Sequence, residues 1–315
     1  MNLNKKGFLS YILLPISVAF YLLIKLRRTL YRIGLLRTYS FDVPVIVVGN
    51  ITVGGSGKTP IVIEIIEHFL RQGKKVGAVS RGYGGEGSSE SLLVNKDTDP
   101  LLSGDEPLLI ATQTNAPVIV NTNRVQAVKD MIEGYDVEII VSDDGLQHYS
   151  MGRAVEIAVV DGTRRFGNGF LLPSGPLREP VSRLKSVDFV INNGSMHPGE
   201  ISSDLIPKMF INLSTLEQKD VNYFNNIKCH SIAGIGYPQR FFDTLTDLGV
   251  DVLPHPFPDH HFFSEDELEF NSKHPIIMTA KDCVKCRKFA TNQMWYLLTE
   301  TDLGEDFMTK LSDKL

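Results

Sequence analysis

Residues 45–48 read Val-Ile-Val-Val, a short β-branched run suited to a strand buried on both faces. After a stretch of small and polar residues, Ile61, Val62, Ile65, Ile66, Phe69 and Leu70 recur at helical spacing, and Gly73 is placed to end that helix. Apolar runs at residues 75–80, 117–120, 137–141, 155–160 and 189–191 predict further strands between helical stretches. Strands alternating with helices predict a mostly parallel sheet flanked by helices on both faces. From about residue 226 a second series begins, with strands expected at 230–235, 276–279 and 294–298 and a helix at 239–248. The expected organisation is therefore a main α/β domain over residues 38–225 and a smaller α/β lobe over 226–315, joined by residues 220–226. Residues 82–89 predict a mobile surface loop.

The first 37 residues follow a different pattern. Residues 7–24 carry no charged side chain, which is barely enough to span a bilayer. Pro15 and the tyrosines Tyr11 and Tyr21 allow either a tilted span or a helix lying in the membrane interface. A cleaved secretory signal is the rival reading, but no small-x-small site follows and Arg27-Arg28 comes next. Charge supports a retained anchor. The 315-residue chain has a formal net charge of -5, yet residues 1–40 hold seven basic residues (Lys5, Lys6, Lys25, Arg27, Arg28, Arg32 and Arg37) and no acidic one. Of 32 basic residues, 25 then face 37 acidic ones, so the rest of the chain carries -12. A basic end on an acidic body suits a membrane surface and excludes a nucleic-acid-binding body, and the basic cluster should stay cytoplasmic. Three cysteines make no disulfide framework, and the Cys283-Val-Lys-Cys286 spacing, without further ligands, reads as chance.

The chemistry concentrates between the first strand and first helix. Thr52-Val53-Gly54-Gly55-Ser56-Gly57-Lys58-Thr59 is a glycine-rich loop in the context of a P-loop. Its backbone N–H groups, at the positive end of a helix, would cradle phosphate. Lys58 would reach the β- and γ-phosphates and the Thr59 hydroxyl would sit on Mg²⁺. Thr52 stands where the general pattern has Gly. The apolar run at 137–141 leads to Asp143-Asp144, as in a Walker-B strand whose carboxylate holds Mg²⁺. Ser103-Gly-Asp105-Glu106-Pro107 is either a capped helix start or a second acidic site; Thr59, Asp143 and Glu106 are the candidate metal ligands. His260, in Phe257-Pro-Asp-His-His-Phe262, could pair with Asp105 as a base for an alcohol proton. Arg81, Arg124, Arg164, Arg165, Arg178 and Arg183 lie in loop contexts suited to phosphate. A guanine-reading Asn-Lys-x-Asp is missing, its nearest approach being Asn95-Lys96-Asp97-Thr98, so ATP is the expected nucleotide.

With these pieces placed, the chain resembles the tetraacyldisaccharide 4′-kinases of lipid A biosynthesis, membrane-associated P-loop kinases. The resemblance is carried by Val47-Val-Gly-Asn-Ile-Thr-Val-Gly-Gly-Ser-Gly-Lys-Thr-Pro60, Ser80-Arg-Gly-Tyr-Gly84, Gly104-Asp-Glu-Pro107, Asp143-Asp-Gly-Leu-Gln-His148, Gly167-Asn-Gly169, Leu172-Pro-Ser-Gly-Pro-Leu-Arg-Glu-Pro180, Gly234-Ile-Gly236 with Arg240-Phe-Phe242, and Phe257-Pro-Asp-His260. Thr52 is what that family shows. Where it commonly has Thr-Glu-Lys-Asp-Ala-Val-Lys, this chain has Thr279-Ala-Lys-Asp-Cys-Val-Lys285. The resemblance implies Mg²⁺-dependent transfer of the ATP γ-phosphate to the 4′-hydroxyl of a tetraacylated glucosamine disaccharide 1-phosphate, at the cytoplasmic face of the inner membrane. It implies Asp105 and His260 as the dyad that prepares the hydroxyl, beside Lys58 and Asp144. It also implies acceptor contacts from Arg81, Tyr83, Arg124, Gln147 and Arg178. Partners are then a lipid substrate and the membrane, with no nucleic acid and no obligate protein partner. Opening and closing of the two lobes would admit the acceptor. The alternative is a membrane-tethered NTPase that switches a protein partner.

Overall fold

Pro15 sits in the first turn of a helix, where a missing N–H costs nothing. The N-terminal run is accordingly two helices, α1 (Phe8–Ile12) and α2 (Leu14–Arg32), meeting at Leu13. The computed structural model describes residues 5–82, 90–194 and 196–315, and among them no helix is long and apolar enough to cross a membrane. Of the two membrane modes expected, the spanning helix is thus not present among the described residues; the apolar stretch is broken into two helices. Ser17 is buried and Phe20, Ile24, Arg28 and Tyr31 are half-buried against the body, whereas Val18, Leu22 and Leu26, each four residues on, are exposed. Ser17 Oγ donates to the Leu171 carbonyl at 2.9 Å and accepts from the Ser174 N–H at 3.1 Å. This helix buries Ser17 and leaves Val18, Leu22 and Leu26 exposed, so it carries apolar side chains on its outer face as well as toward the body, unlike an ordinary surface helix.

The β-branched run is β1 (Val45–Gly49), buried at every residue. The helical repeat after it is α3 (Lys58–Arg71). Then come β2 (Val76–Ser80), β3 (Leu92–Val94), the single turn α4 (Pro100–Ser103), α5 (Asp105–Gln113), β4 (Val118–Val120), α6 (Arg124–Gly134), β5 (Ile139–Asp143), β6 (Val155–Asp161) and β7 (Phe189–Asn193). The chain continues through β8 (Ile201–Asn212), β9 (Gln218–Asp220), β10 (Lys228–Ala233), α7 (Pro238–Asp247), β11 (Asp251–Pro256), β12 (Ile276–Thr279), α8 (Ala280–Cys286), β13 (Met294–Asp302) and α9 (Glu305–Ser312). All these strands share one sheet, ordered β11-β10-β12-β13-β8-β7-β6-β1-β5-β2-β4-β3, with β9 on β8. Only the β13–β8, β8–β9 and β4–β3 pairs are antiparallel, so the chain has an α/β fold with a mostly parallel mixed sheet.

β3, β8, β9 and β11 were not expected from the pattern. β3 is a three-residue edge, β11 is an edge strand carrying Pro254 and Pro256, and the first half of β8 is largely polar. Within the expected joining segment, Phe224 is buried edge-to-face against Phe210 and Trp295. Apart from Gly82, the expected loop at 82–89 lies outside the described residues. A single apolar cluster draws on Ile61 and Ile65 of α3, Leu108 of α5, Met278 of β12, Val284 of α8 and Phe307 of α9. β1 lies between β5 and β6, where successive strands leave in opposite directions. The crevice at the carboxyl ends of such strands is where open α/β sheets bind ligands.

Candidate active site

β1 delivers the chain into residues 50–57, and α3 starts at Lys58. Thr52 bridges Leu177 in antiparallel fashion, and the Val53 N–H donates to the Pro176 carbonyl at 2.8 Å. An extended residue paired to a neighbouring segment needs no positive φ, so Thr is tolerated where the general pattern has Gly. Gly54 and Gly57 do have positive φ, 88° and 77°. Gly57 also lacks room, since a Cβ there would lie 1.7 Å from Asn193 Nδ2. The backbone of Gly236 closes on the loop from the other half of the sheet, where a Cβ would stand 3.0 Å from the Gly55 nitrogen.

The end of β5 brings two carboxylates to this loop in unequal states. Asp144, at φ 49°, receives Lys58 Nζ at 3.4 Å and Arg178 Nη1 at 3.0 Å. Burial alone would raise its pKa, but those two cations outweigh it and hold the carboxyl well below its usual range. Burial likewise opposes charge on Lys58, and the carboxylates of Asp144, Glu106 and Asp143 outweigh it, raising the ammonium pKa. For Asp143 the nearby cations Lys58 and Arg124 do not suffice. Burial first, and then the charge of Glu106, push its pKa up to about 7, and both its carboxylate oxygens are buried without a hydrogen-bond partner among the described residues. An orphaned buried carboxylate in a cavity that the glycine loop also lines fits a cation. Among the described residues there is no cluster of three or more His, Cys, Asp or Glu side chains able to hold a metal. A Mg²⁺ held mainly by nucleotide phosphates and water needs only one or two carboxylates. Arg124 is 2 % exposed and donates through Nη2 to the Asp143 carbonyl, and its Nε and Nη1 have no hydrogen-bond partner among the described residues.

Asp105 and His260, 155 residues apart, meet: His260 Nδ1 lies 3.0 Å from Asp105 Oδ1 and 3.1 Å from Oδ2. An ionised carboxylate only accepts, so Nδ1 carries the proton and Nε2 the acceptor lone pair of the neutral ring. The bond to Asp105 raises the His260 pKa, against burial and the charge of Lys281. Burial would raise the Asp105 pKa, but His260, Lys281 and Lys285 together lower it. Lys281, in the first turn of α8, ties the group together, with Nζ 3.2 Å from both Glu106 and Asp259 and 3.8 Å from Asp105. Glu106, expected as a metal ligand, is thus engaged by a lysine.

Two cavities meet at this point. One of about 900 Å³ is lined by Lys58, Asp143, Asp144, Arg178 and His260, with Phe20, Leu23 and Ile24 of α2 forming an apolar wall. The other, of about 400 Å³, runs from the glycine loop past Asn193 and Lys281 to Tyr237 and Arg240. Gly55, Lys58 and Glu106 line both. Arg81, Arg124 and Gln147 also line the larger cavity, although the Gln147 amide is spent on the Asn50 carbonyl and Glu179. Tyr83 lies outside the described residues. Arg165 instead pairs with Glu200, and Arg183 with Glu156. Sequence reasoning gave no role to Lys281, Lys285, Asp259, Asn50 or Asn193; the i, i+4 spacing of Lys281 and Lys285 after the Thr279 cap was the available signal. Cys229, Cys283 and Cys286 are buried free thiols.

Comparison with known proteins gives the family. The model of the family described as LpxK, tetraacyldisaccharide-1-P 4′-kinase, matches residues 9–315. A tetraacyldisaccharide 4′-kinase from Ruthia magnifica is 58% identical over 315 residues, all of both chains. One from Hahella chejuensis is 43% identical, covering 97% of this chain and 93% of its own. A crystal structure of LpxK from Aquifex aeolicus in complex with ATP superposes with a TM-score of 0.81 at 26% identity, covering 98% of this chain and 99% of that one. A whole-length match to the family model, close relatives of equal length and a shared fold place this chain in the tetraacyldisaccharide 4′-kinase family.

Proposed function

We propose that this chain transfers the γ-phosphate of ATP to the 4′-hydroxyl of a tetraacyldisaccharide 1-phosphate, with Mg²⁺, at the cytoplasmic face of the inner membrane. One observation carries the reading: His260, held from behind by Asp105, stands on the wall of the cavity that Lys58 and Asp144 also line. The relatives' name supports the acceptor, and the ATP complex of the Aquifex relative supports the nucleotide. The smaller cavity is read as the nucleotide site and the larger, with its apolar α2 wall, as the acceptor site.

In this reading His260 Nε2 accepts the 4′-hydroxyl proton as the oxygen attacks, and Asp105 holds the ring's tautomer and stabilises the imidazolium. Lys58 and the N–H groups of the P-loop residues Thr52 through Thr59, apart from that of Val53, which is bonded to the Pro176 carbonyl, bind the phosphates and follow the charge onto the transferring phosphoryl oxygens. Thr59, Asp143 and Glu106 are the residues to hold Mg²⁺, Glu106 by exchanging its lysine partner; the ion, when bound, neutralises charge on the β- and γ-oxygens. Asp144 keeps Lys58 and Arg178 in place, and Arg81, Arg124 and Arg178 serve the anionic acceptor, with Gln147 lining the cavity while its amide holds Asn50 and Glu179. Residues 1–37 are read as an interfacial anchor, 38–225 as the kinase domain and 226–315 as the smaller lobe. The apolar outer face of α2, flanked by Lys25, Arg28 and Arg32, supports contact with the bilayer.

The test follows the label. With γ-labelled ATP and tetraacyldisaccharide 1-phosphate in mixed micelles, label should enter the organic-phase lipid, and Lys58→Ala should abolish this. Label released only as free phosphate, or found on protein, would overturn the reading.

A further inference from the structure

Three successive carbonyls of the glycine loop are each met by a side-chain donor from a different part of the chain. Asn50 Nδ2 donates to the Gly54 carbonyl at 3.3 Å and lies 3.1 Å from Ser56 Oγ. Arg164, in the loop after β6, donates through Nη2 to the Gly55 carbonyl. Asn193, the last residue of β7, donates through Nδ2 to the Ser56 carbonyl at 3.0 Å. Carbonyls only accept, so these contacts also fix which way each amide faces. The donors themselves are held: Asn50 is 0% and Asn193 4% exposed, and Arg164 is locked onto Asp161 by bonds of 3.1 and 2.9 Å.

In a trans peptide the carbonyl of one residue and the N–H of the next point in opposite directions. Pinning the carbonyls of residues 54, 55 and 56 therefore aims the N–H groups of Gly55, Ser56 and Gly57 the other way. None of those three N–H groups has a hydrogen-bond acceptor among the described residues. They are unspent donors in a loop ending at a helix N-terminus, and that loop lines both cavities.

We propose that Asn50, Arg164 and Asn193 form a clamp that presets the loop for a polyphosphate before nucleotide arrives. The inference rests on reading residues 52–59 as the phosphate cradle. An unclamped glycine loop must be ordered at the moment of binding, and that entropy is charged against affinity. A clamped loop binds phosphate already oriented, so the clamp residues are positioning residues. They act on phosphate affinity and not on proton transfer.

Inorganic triphosphate is the probe, because it carries phosphates and no base. It should compete with ATP on the unaltered protein. Loss of one hydrogen bond is worth roughly two- to tenfold in affinity when the donor is neutral, as in Asn193, and roughly ten- to a hundredfold when it is charged, as in Arg164. In Asn193→Ala and Arg164→Ala, the triphosphate Ki and the ATP KM should rise together by those factors, while the acceptor KM stays within twofold. Arg164→Lys, which keeps a donor, should recover part of the loss. The clamp is overturned if both variants keep the wild-type Ki, or if they lower only the melting temperature of the nucleotide-free protein. Failure of triphosphate to compete on the unaltered protein would instead strike at the cradle reading. If Asn193→Ala does not fold, the Arg164 pair carries the same test.

Discussion

His260 is held at φ 60°, a left-handed conformation that costs a non-glycine residue about 1–3 kcal/mol and persists only where the surroundings dictate it. What dictates it here is the bidentate approach to Asp105, in turn set by Lys281 and Lys285. A base must be neutral to accept a proton, so the rate should fall as pH drops through the raised pKa of His260. Asp105→Asn removes the partner that raises it. Turnover should fall by roughly 10²-fold or more, and the acid limb of the kcat/KM profile should move to lower pH while ATP binding persists. An unmoved limb would detach Asp105 from His260's chemistry. Asp143 makes a prediction of the opposite kind. Its folded pKa, about 7, lies above the ordinary 3.8, so its contribution to stability is complete below pH 4 and is lost as pH rises through 7. Metal-free protein should therefore lose melting temperature over that window, and Asp143→Asn should lose less while failing in transfer. Mg²⁺ affinity should climb over the same window, because the ligand must be deprotonated. Identical melting profiles for wild type and variant would refute the assignment.

At the scale of elements, α2 is the piece whose sequence and setting disagree most with ordinary packing. Val18, Leu22 and Leu26 form an exposed stripe at i, i+4 and i+8, and Ser17 faces inward. Leu22→Glu with Leu26→Glu changes only exposed positions and should leave the melting temperature in place. Removing two leucines from an interface forfeits about 1.5–3 kcal/mol each, so vesicle binding should weaken by roughly 10²-fold or more. Activity on bilayer-embedded acceptor should fall with it, and activity on a detergent-dispersed acceptor should not; retained vesicle binding would remove the anchoring role. The helix was legible as apolar and basic, yet its break at Leu13 and the burial of Ser17 were not, because they depend on the 168–174 segment that receives Ser10 and Ser17. The same divide runs through the site. Strands β1, β2, β5 and β6 announced themselves by continuous burial, and the glycine loop by its residue types. Asn193 and Lys281 act through contacts across 137 and 175 positions, which no local pattern encodes. β11, with two prolines on an edge, hides behind residues that argue against a strand.

Across the whole molecule, the two series of strands expected as separate lobes form one sheet, and β8 is the seam, pairing with β7 at its start and β13 along its length. The apolar cluster follows the sheet: α3 and α5 bury Ile65 and Leu108 with Met278, Val284 and Phe307 from the C-terminal half. Asp105 heads α5 and Lys281 heads α8, so the packing that closes this shared core is also the packing that brings the dyad and its lysine together. Separating the halves to admit an acceptor would expose that cluster. At about 25 cal/mol per Å² of apolar surface, opening a few hundred Å² costs several kcal/mol, a large part of the 5–15 kcal/mol that holds a domain folded. Entry through the open mouth beside α2 avoids this cost, since that wall is built of side chains and not of a shared core. The halves should then melt together. Calorimetry of the nucleotide-free protein should give a single transition, with van't Hoff and calorimetric enthalpies in agreement. MgATP should shift that one transition upward by mass action, and residues 1–225 alone, stripped of half their core, should not show it. Two resolved transitions, of which nucleotide moves only the first, would mean that the C-terminal lobe folds independently and that closure of the lobes is available to the enzyme after all.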